Sequence, residues 1–177
     1  SINQYPLFLK KNNVVLTAKE LIKKSIQDNI STQPILYLNN DKIQNARNKY
    51  KFENDFKHIC VGFSASGPTK RWPVENYIKL SEVLSKNKPC KFYLAGGQND
   101  MGLFKKILSS SVSDNCISFK DLSISETLPI IKNCDIYIGN DTGWLHIACA
   151  LNKKCVALFM DSPVQAYGKY STNISVI

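Results

Sequence analysis

Ile136-Tyr137-Ile138-Gly139-Asn140-Asp141-Thr142-Gly143-Trp144-Leu145-His146-Ile147-Ala148-Cys149-Ala150 passes from an apolar strand through a polar turn into a helix. The β-branched and aromatic residues at 135–138 favour extended chain. Asp141 or Thr142 can cap the helix, because their side-chain oxygens accept from its free N–H groups. Gly143 leaves room for a ligand to approach the main chain. A helix N-terminus, with bare N–H groups and the positive end of the dipole, favours a phosphate. Asp141 is itself an anion, so it suits sugar hydroxyls instead. The turn therefore predicts a ligand with a phosphate end and a polyol end. The alternative is an ordinary capped helix, in which Asp-Thr-Gly only ends a strand.

Outward from this turn, strand and helix alternate from residue 57 onward. Apolar strands are expected at 59–63, 91–95, 116–119, 135–138 and 155–160. Helices are expected at 74–86, 100–110, 125–133 and 142–151. This alternation predicts an α/β domain: a three-layer, doubly wound, Rossmann-like parallel sheet with right-handed crossovers. Ligands of such sheets lie outside the carboxyl ends of the strands. Every unusual turn in this chain falls there.

The first third differs. Leu7-Phe8-Leu9 and Val14-Val15-Leu16 form an apolar patch, either a hairpin or a loose end. Thr17, with Glu20 as a capping box, predicts a helix over 17–28. Residues 35–38 read as extended, 39–50 as a polar helix and 51–57 as a charged connector. With few large apolar residues, this part is expected to pack peripherally against something else.

Composition sets outer bounds. The 177 residues, 44% hydrophobic and 21% charged, suit one soluble globular domain. No run is long enough to span a bilayer and no secretory leader pattern is visible, which points to the cytosol. The net charge of +9 comes largely from scattered lysines. It favours anionic partners such as nucleotides, phosphorylated lipids, a membrane surface or nucleic acid, but no aromatic-basic pattern argues for nucleic acid and none is expected as a partner. A solvated lysine-rich surface is the alternative. Six cysteines, at 60, 90, 116, 134, 149 and 155, show no C-x-x-C spacing, so neither histidine stands beside such a pair. They read as buried thiols rather than a zinc site, and no metal ligands are expected.

Three more turns carry candidate chemistry. Ser64-Ala65-Ser66-Gly67-Pro68-Thr69-Lys70-Arg71-Trp72-Pro73 offers hydroxyls, a glycine and two cations, the parts that hold a diphosphate. Its spacing is neither that of a Walker A loop nor G-x-G-x-x-G. Ala95-Gly96-Gly97-Gln98-Asn99-Asp100 allows a tight turn. Gln98 can hydrogen-bond a ribose or base, or Asn99 or Asp100 can merely cap a helix. In Lys120-Asp121-Leu122-Ser123-Ile124-Ser125-Glu126, Leu122 can cover a flat base or join the core, and Ser123 or Ser125 can cap. His146 lies about one turn from Asp141 with no visible triad.

Taken in order, Ser-Ala-Ser…Lys-Arg-Trp-Pro, Ala-Gly-Gly-Gln, Leu-Ser-Ile-Ser-Glu and Asn-Asp-Thr-Gly-x-x-His-x-Ala-x-Ala resemble glycosyltransferase family 9. These are the heptosyltransferases of lipopolysaccharide core synthesis. The likeness covers residues 59–168 and implies the C-terminal, nucleotide-sugar half of a GT-B enzyme. Residues 1–56 would then end the first domain and form the interdomain connector, with 57–177 as the nucleotide-sugar domain. The acceptor-binding domain and its acidic base have no counterpart in these residues.

The resemblance implies that Ser64, Ser66 and Lys70 contact the diphosphate, with Lys70 stabilising the leaving nucleoside diphosphate. Gln98, where relatives often carry Glu, would face the ribose. Leu122, where some carry Met, would lie against adenine. Asp141 would hold the transferred sugar, Thr142 and Gly143 would offer N–H groups to the phosphates, and His146 would pack under that turn or touch the ligand. Trp144 is bulkier than expected at the pocket mouth. The implied activity is inverting, metal-independent transfer of heptose from ADP-heptose, a substrate rather than a cofactor. The acceptor is membrane-anchored lipopolysaccharide at the inner face of the cytoplasmic membrane. Residues 1–177 alone are expected to be inactive; a truncated nucleotide-sugar-binding module is the alternative. The whole reading requires that the Lys70 loop and the Thr142 helix tip share one cleft.

Overall fold

Six short runs rich in β-branched and aromatic residues pair into one sheet in a computed structural model that describes residues 13–177. They are β1 (Lys57–Gly62), β2 (Cys90–Ala95), β3 (Cys116–Ser118), β4 (Ile136–Asn140), β5 (Lys154–Leu158) and β6 (Ile174–Val176). Their order across the sheet is β3-β2-β1-β4-β5-β6, and every neighbouring pair is parallel. The chain winds outward from β1 to β3, then returns to the middle and winds the other way. The order reverses between β1 and β4, and a crevice opens at the carboxyl ends of those two strands.

Helices cover both faces. Side chains alternate along each strand, so Cys60, Tyr93, Tyr137 and Cys155 enter one core while Ile59, Val61, Phe92 and Leu94 enter the other. The first core is closed by α2 (Asn40–Lys49), α5 (Ile124–Asn133) and α6 (Gly143–Ala150). The second is closed by α3 (Val74–Asn87) and α4 (Met101–Leu108). On α3, Val74, Tyr77 and Ser81 recur at helical spacing and are buried; on α4, Phe104 and Ile107 do the same. Ser123 starts α5 with a capping box: Glu126 Oε2 accepts from the Ser123 N–H at 2.8 Å, and Ser123 Oγ from the Glu126 N–H at 3.4 Å.

The five expected strands and four expected helices of the 57–177 region are all present, with ends shifted by a residue or two. Besides three short 3-10 turns, one α-helix and one strand of this region were not expected: a single turn, α7 (Val164–Tyr167), and the three-residue edge strand β6. The first described helix, α1 (Val14–Ile26), starts before Thr17. The Asn13 side chain accepts from the Val15 and Leu16 N–H groups at 3.0 and 3.2 Å and takes the cap position. Thr17 Oγ1 instead donates to the Asn13 carbonyl at 2.9 Å, so the Thr17–Glu20 capping box does not form. Leu7, Phe8 and Leu9 lie outside the described residues. Residues 35–38 form no strand; the Leu36 N–H donates to the Ala150 carbonyl at 2.8 Å. Phe52, beyond α2, stacks on Tyr93 with ring centroids 4.8 Å apart.

All six cysteines are free thiols and five are buried. Burial pushes Cys116 and Cys155 from the ordinary 9.0 up to about 12, and Cys60 higher still. Protons lost by the unfolded chain are then still held by the native one. Stability is therefore complete below pH 9 and falls as pH rises from 9 towards 12. Each thiol contributes a slope of up to about 1.4 kcal/mol per pH unit. Urea unfolding at a series of pH values should show the midpoint dropping above pH ~9. A midpoint flat through that range would contradict the buried placement.

Candidate functional site

Glycines let β1 and β4 converge at the crevice. A Cβ on Gly139 would lie 2.6 Å from the Gly62 Cα and 2.7 Å from its N, so no side chain fits. Asn140, the next residue, is fully buried. Its Nδ2 donates to the carbonyls of Phe63 at 2.9 Å and Ser64 at 3.3 Å. Its Oδ1 accepts from the Trp72 N–H at 3.0 Å and the Tyr77 hydroxyl at 2.9 Å. Both amide donors and both acceptor positions are used. One side chain at the end of β4 thus fastens both ends of loop 64–72, which follows β1.

The other side of that loop is tied to the turn after β2. Arg71 Nε and Nη2 donate to the Ala65 carbonyl at 3.2 and 2.9 Å, and Nη2 also meets Asp100 Oδ1 at 3.2 Å. Asp100 is buried, and its Oδ2 accepts from the Gly97 N–H at 2.9 Å. Between these ties lies a cleft of about 500 Å³.

Five of the nine expected site residues line this cleft: Ser64, Ser66, Gln98, Thr142 and Gly143. Thr142 precedes α6 and makes no side-chain cap bond, so neither Asp141 nor Thr142 caps that helix through its side chain. The first N–H groups of α6 lack intrahelical partners by geometry. The Thr142 hydroxyl is buried beside the Tyr137 phenol, without a hydrogen bond of good geometry. Trp144 and Ile147 of α6 and Ile124 of α5 add apolar wall.

The other four lie apart from the cleft wall. Lys70 ends a 3-10 turn, Pro68–Lys70, and is half-buried; the cation on the wall is its neighbour Arg71. The loop and the helix tip share one cleft through Ser64, Ser66, Arg71 and Thr142, but Lys70, the residue the sequence reading named, is not on its wall. Leu122 is half-buried and packs against the first core. Asp141 and His146 lie side by side, with His146 Nε2 3.6 Å from Asp141 Oδ1. His146 Nδ1 shares a hydrogen bond of 2.6 Å with the Tyr170 hydroxyl. His146 also borders a separate cavity of about 310 Å³ with Val14, Val15, Pro34 and Tyr167.

Sequence reasoning counted Arg71 only as one of two cations on its turn and Asp100 only as a helix cap, and it assigned no role to Asn140. Each stands inside a stretch already singled out, but nothing in a linear spacing says that an Asn at a strand end will reach back to a loop 68–76 residues earlier.

Comparison with known proteins agrees with this architecture. A family model described as Glycosyltransferase family 9 (heptosyltransferase) matches residues 8–177. A lipooligosaccharide heptosyltransferase 2 of Haemophilus influenzae is 28% identical over 186 residues, covering 98% of this chain and 52% of that protein. A lipopolysaccharide heptosyltransferase 1 of Campylobacter coli is 28% identical over 141 residues, covering 77% of this chain and 39% of its own. The structure of E. coli ADP-heptose lps heptosyltransferase II superposes with a TM-score of 0.72 at 25% identity, over 81% of this chain and 45% of that one. A family 9 glycosyl transferase from Veillonella parvula has the same fold, with a TM-score of 0.74 at 16% identity, over 97% and 50%. The chain spans about half the length of the curated relatives it matches. The domain is accordingly one half of a GT-B fold, and the chain belongs to glycosyltransferase family 9, the heptosyltransferases.

Proposed function

We propose that this chain is the donor-binding part of an inverting glycosyltransferase that moves heptose from ADP-heptose to a lipopolysaccharide core acceptor. The observation carrying this reading is the single cleft at the β1–β4 switch point, where loop 64–72 faces the N-terminus of α6. The Ser64 and Ser66 hydroxyls and the N–H groups at Thr142 and Gly143 supply donors for a diphosphate. Gln98, on the turn after β2, takes the ribose; Leu122, at the start of the next loop, takes adenine. Asp141 accepts from sugar hydroxyls, and His146, held by Tyr170, keeps it in place. Family membership supports the heptose, as does the likeness to an E. coli protein described as an ADP-heptose heptosyltransferase.

In the reaction, an acceptor hydroxyl loses its proton to a base and attacks the anomeric carbon. A new C–O bond forms with inversion while the anomeric C–O bond to the β-phosphate breaks. The electron pair leaves on the phosphate oxygen. Lys70 and the α6 terminus stabilise that charge as it develops. Lys70 suits this task because a flexible ammonium can swing from the loop towards the leaving group. The reading requires neither metal nor organic cofactor.

The base and the acceptor site belong to a companion domain, of which residues 1–56 supply the end and the connector. Alone, the 177 residues bind donor and transfer nothing. A membrane-anchored acceptor puts the work at the inner face of the cytoplasmic membrane, where a charge of +9 suits an anionic surface. No helix among the described residues is long and apolar enough to cross a membrane.

Calorimetric titration with ADP-, UDP- and GDP-sugars tests this. Saturable binding should favour the ADP-sugars, and Lys70→Ala should weaken it roughly tenfold, the loss of one charge-assisted contact. The reading falls if no nucleotide sugar binds saturably.

A further inference from the structure

We propose that Arg71 is a ligand-contacting residue of the cleft, its fixed cation for the anionic part of the ligand, and that Asp100 is the positioning residue that aims it. This rests on the reading of the cleft as a nucleoside-diphosphate site. Arg71 lines the cleft wall, whereas Lys70 does not. Its side chain is 31% exposed, and Asp100 behind it only 5%. Asp100 also borders the cleft, but with so little of it exposed an anion entering there meets mainly the guanidinium, which also neutralises the carboxylate it pairs with.

The guanidinium is also pre-aimed. Nε and Nη2 are spent on the Ala65 carbonyl and on Asp100 Oδ1. Of its five N–H groups, the two on Nη1 remain for a ligand. Asp100 is itself held by the Gly97 N–H, so the guanidinium bridges the loop after β1 to the turn after β2. Such a strut fixes the width of the cleft before any ligand arrives. Little rotamer entropy is then lost when the anion binds. The two adjacent cations divide the work: Arg71 is a rigid planar donor in the wall, and Lys70 is a mobile point charge at the rim.

Titration of the full chain with ADP and with adenosine, at low and at moderate salt, tests the assignment. Arg71→Ala and Arg71→Gln should each weaken ADP binding about tenfold or more, leave adenosine affinity unchanged and flatten the salt dependence of ADP binding. Arg71→Lys should recover only part, because an ammonium cannot hold both ties and still face the ligand. Asp100→Asn should weaken ADP a few-fold by loosening the aim, and adenosine less, since Asp100 also holds the turn that carries Gln98. Should ADP and adenosine weaken equally in the Arg71 variants, Arg71 is a structural strut alone and the proposal is overturned. ADP affinity unchanged in those variants overturns it too, while the reading of the cleft survives. If the unaltered protein binds no ADP, that reading and this proposal fail together. Arg71→Gln keeps an amide donor for the Ala65 carbonyl, so the test stands even if Arg71→Ala fails to fold.

Discussion

Gly139→Ala should lower the melting temperature by roughly 6–12 °C or prevent folding. The added methyl would sit against the backbone of Gly62 on the neighbouring strand, 2.6 Å from its Cα. Backbone in the middle of a parallel sheet cannot rotate away as a flexible side chain can. Overpacking of this kind costs about 3 kcal/mol, at the upper end of its usual range. At this chain length each kcal/mol moves the midpoint by roughly 2–4 °C. Gly143→Ala is the contrasting control. A Cβ there meets nothing within 4 Å, and no described glycine has a positive φ. Its fold should be intact while the methyl takes up ligand space, so affinity for ADP falls without a loss of melting temperature. A Gly139→Ala protein as stable as the parent would mean that β1 and β4 do not converge as described.

The second large effect is expected at Asn140. Asn140→Ala strips partners from the Phe63 and Ser64 carbonyls, the Trp72 N–H and the Tyr77 hydroxyl. Each buried polar group left unpaired costs about 1–3 kcal/mol, and losses at one site do not simply add. A total of about 3–5 kcal/mol is expected, the range reached when a buried network is broken. Asn140→Asp separates the two halves of the tie. A carboxylate still accepts from Trp72 and Tyr77 but can no longer donate to the carbonyls at the start of the loop. Urea unfolding gives the stability; amide hydrogen exchange at Trp72 and through residues 64–72 gives the order of the loop. In Asn140→Ala, exchange in that loop should speed at least tenfold relative to the strand cores. Loop amides that exchange as slowly as before would show that something other than Asn140 holds the loop.

The alternation of strand and helix after residue 57 was legible because a buried parallel sheet demands apolar runs separated by amphipathic helices. Val74, Tyr77 and Ser81 on α3 fall at the spacing that such a helix must have. Five of the site residues were legible for a related reason: the strand ends face one crevice once the strand order is known. What was not legible depends on competition between neighbours. Asn13 and Thr17 can both cap a helix, and only the chain's path selects Asn13. Lys70 and Arg71 are adjacent cations on a tight turn. The phase of that turn, fixed by Asn140 holding Trp72 and by Asp100 holding Arg71, decides which of them reaches the wall. β6 is three residues long and pairs only at the sheet edge, too short for a period to show.

The most direct test of the central claim is a backbone amide NMR map of ADP binding to this chain. The amides of residues 64–66, 97–98 and 142–143 should shift together, saturating with one dissociation constant, because three turns from three strand ends enclose one ligand. Shifts confined to a single turn, or centred on the cavity beside His146 and Tyr167, would contradict the shared cleft.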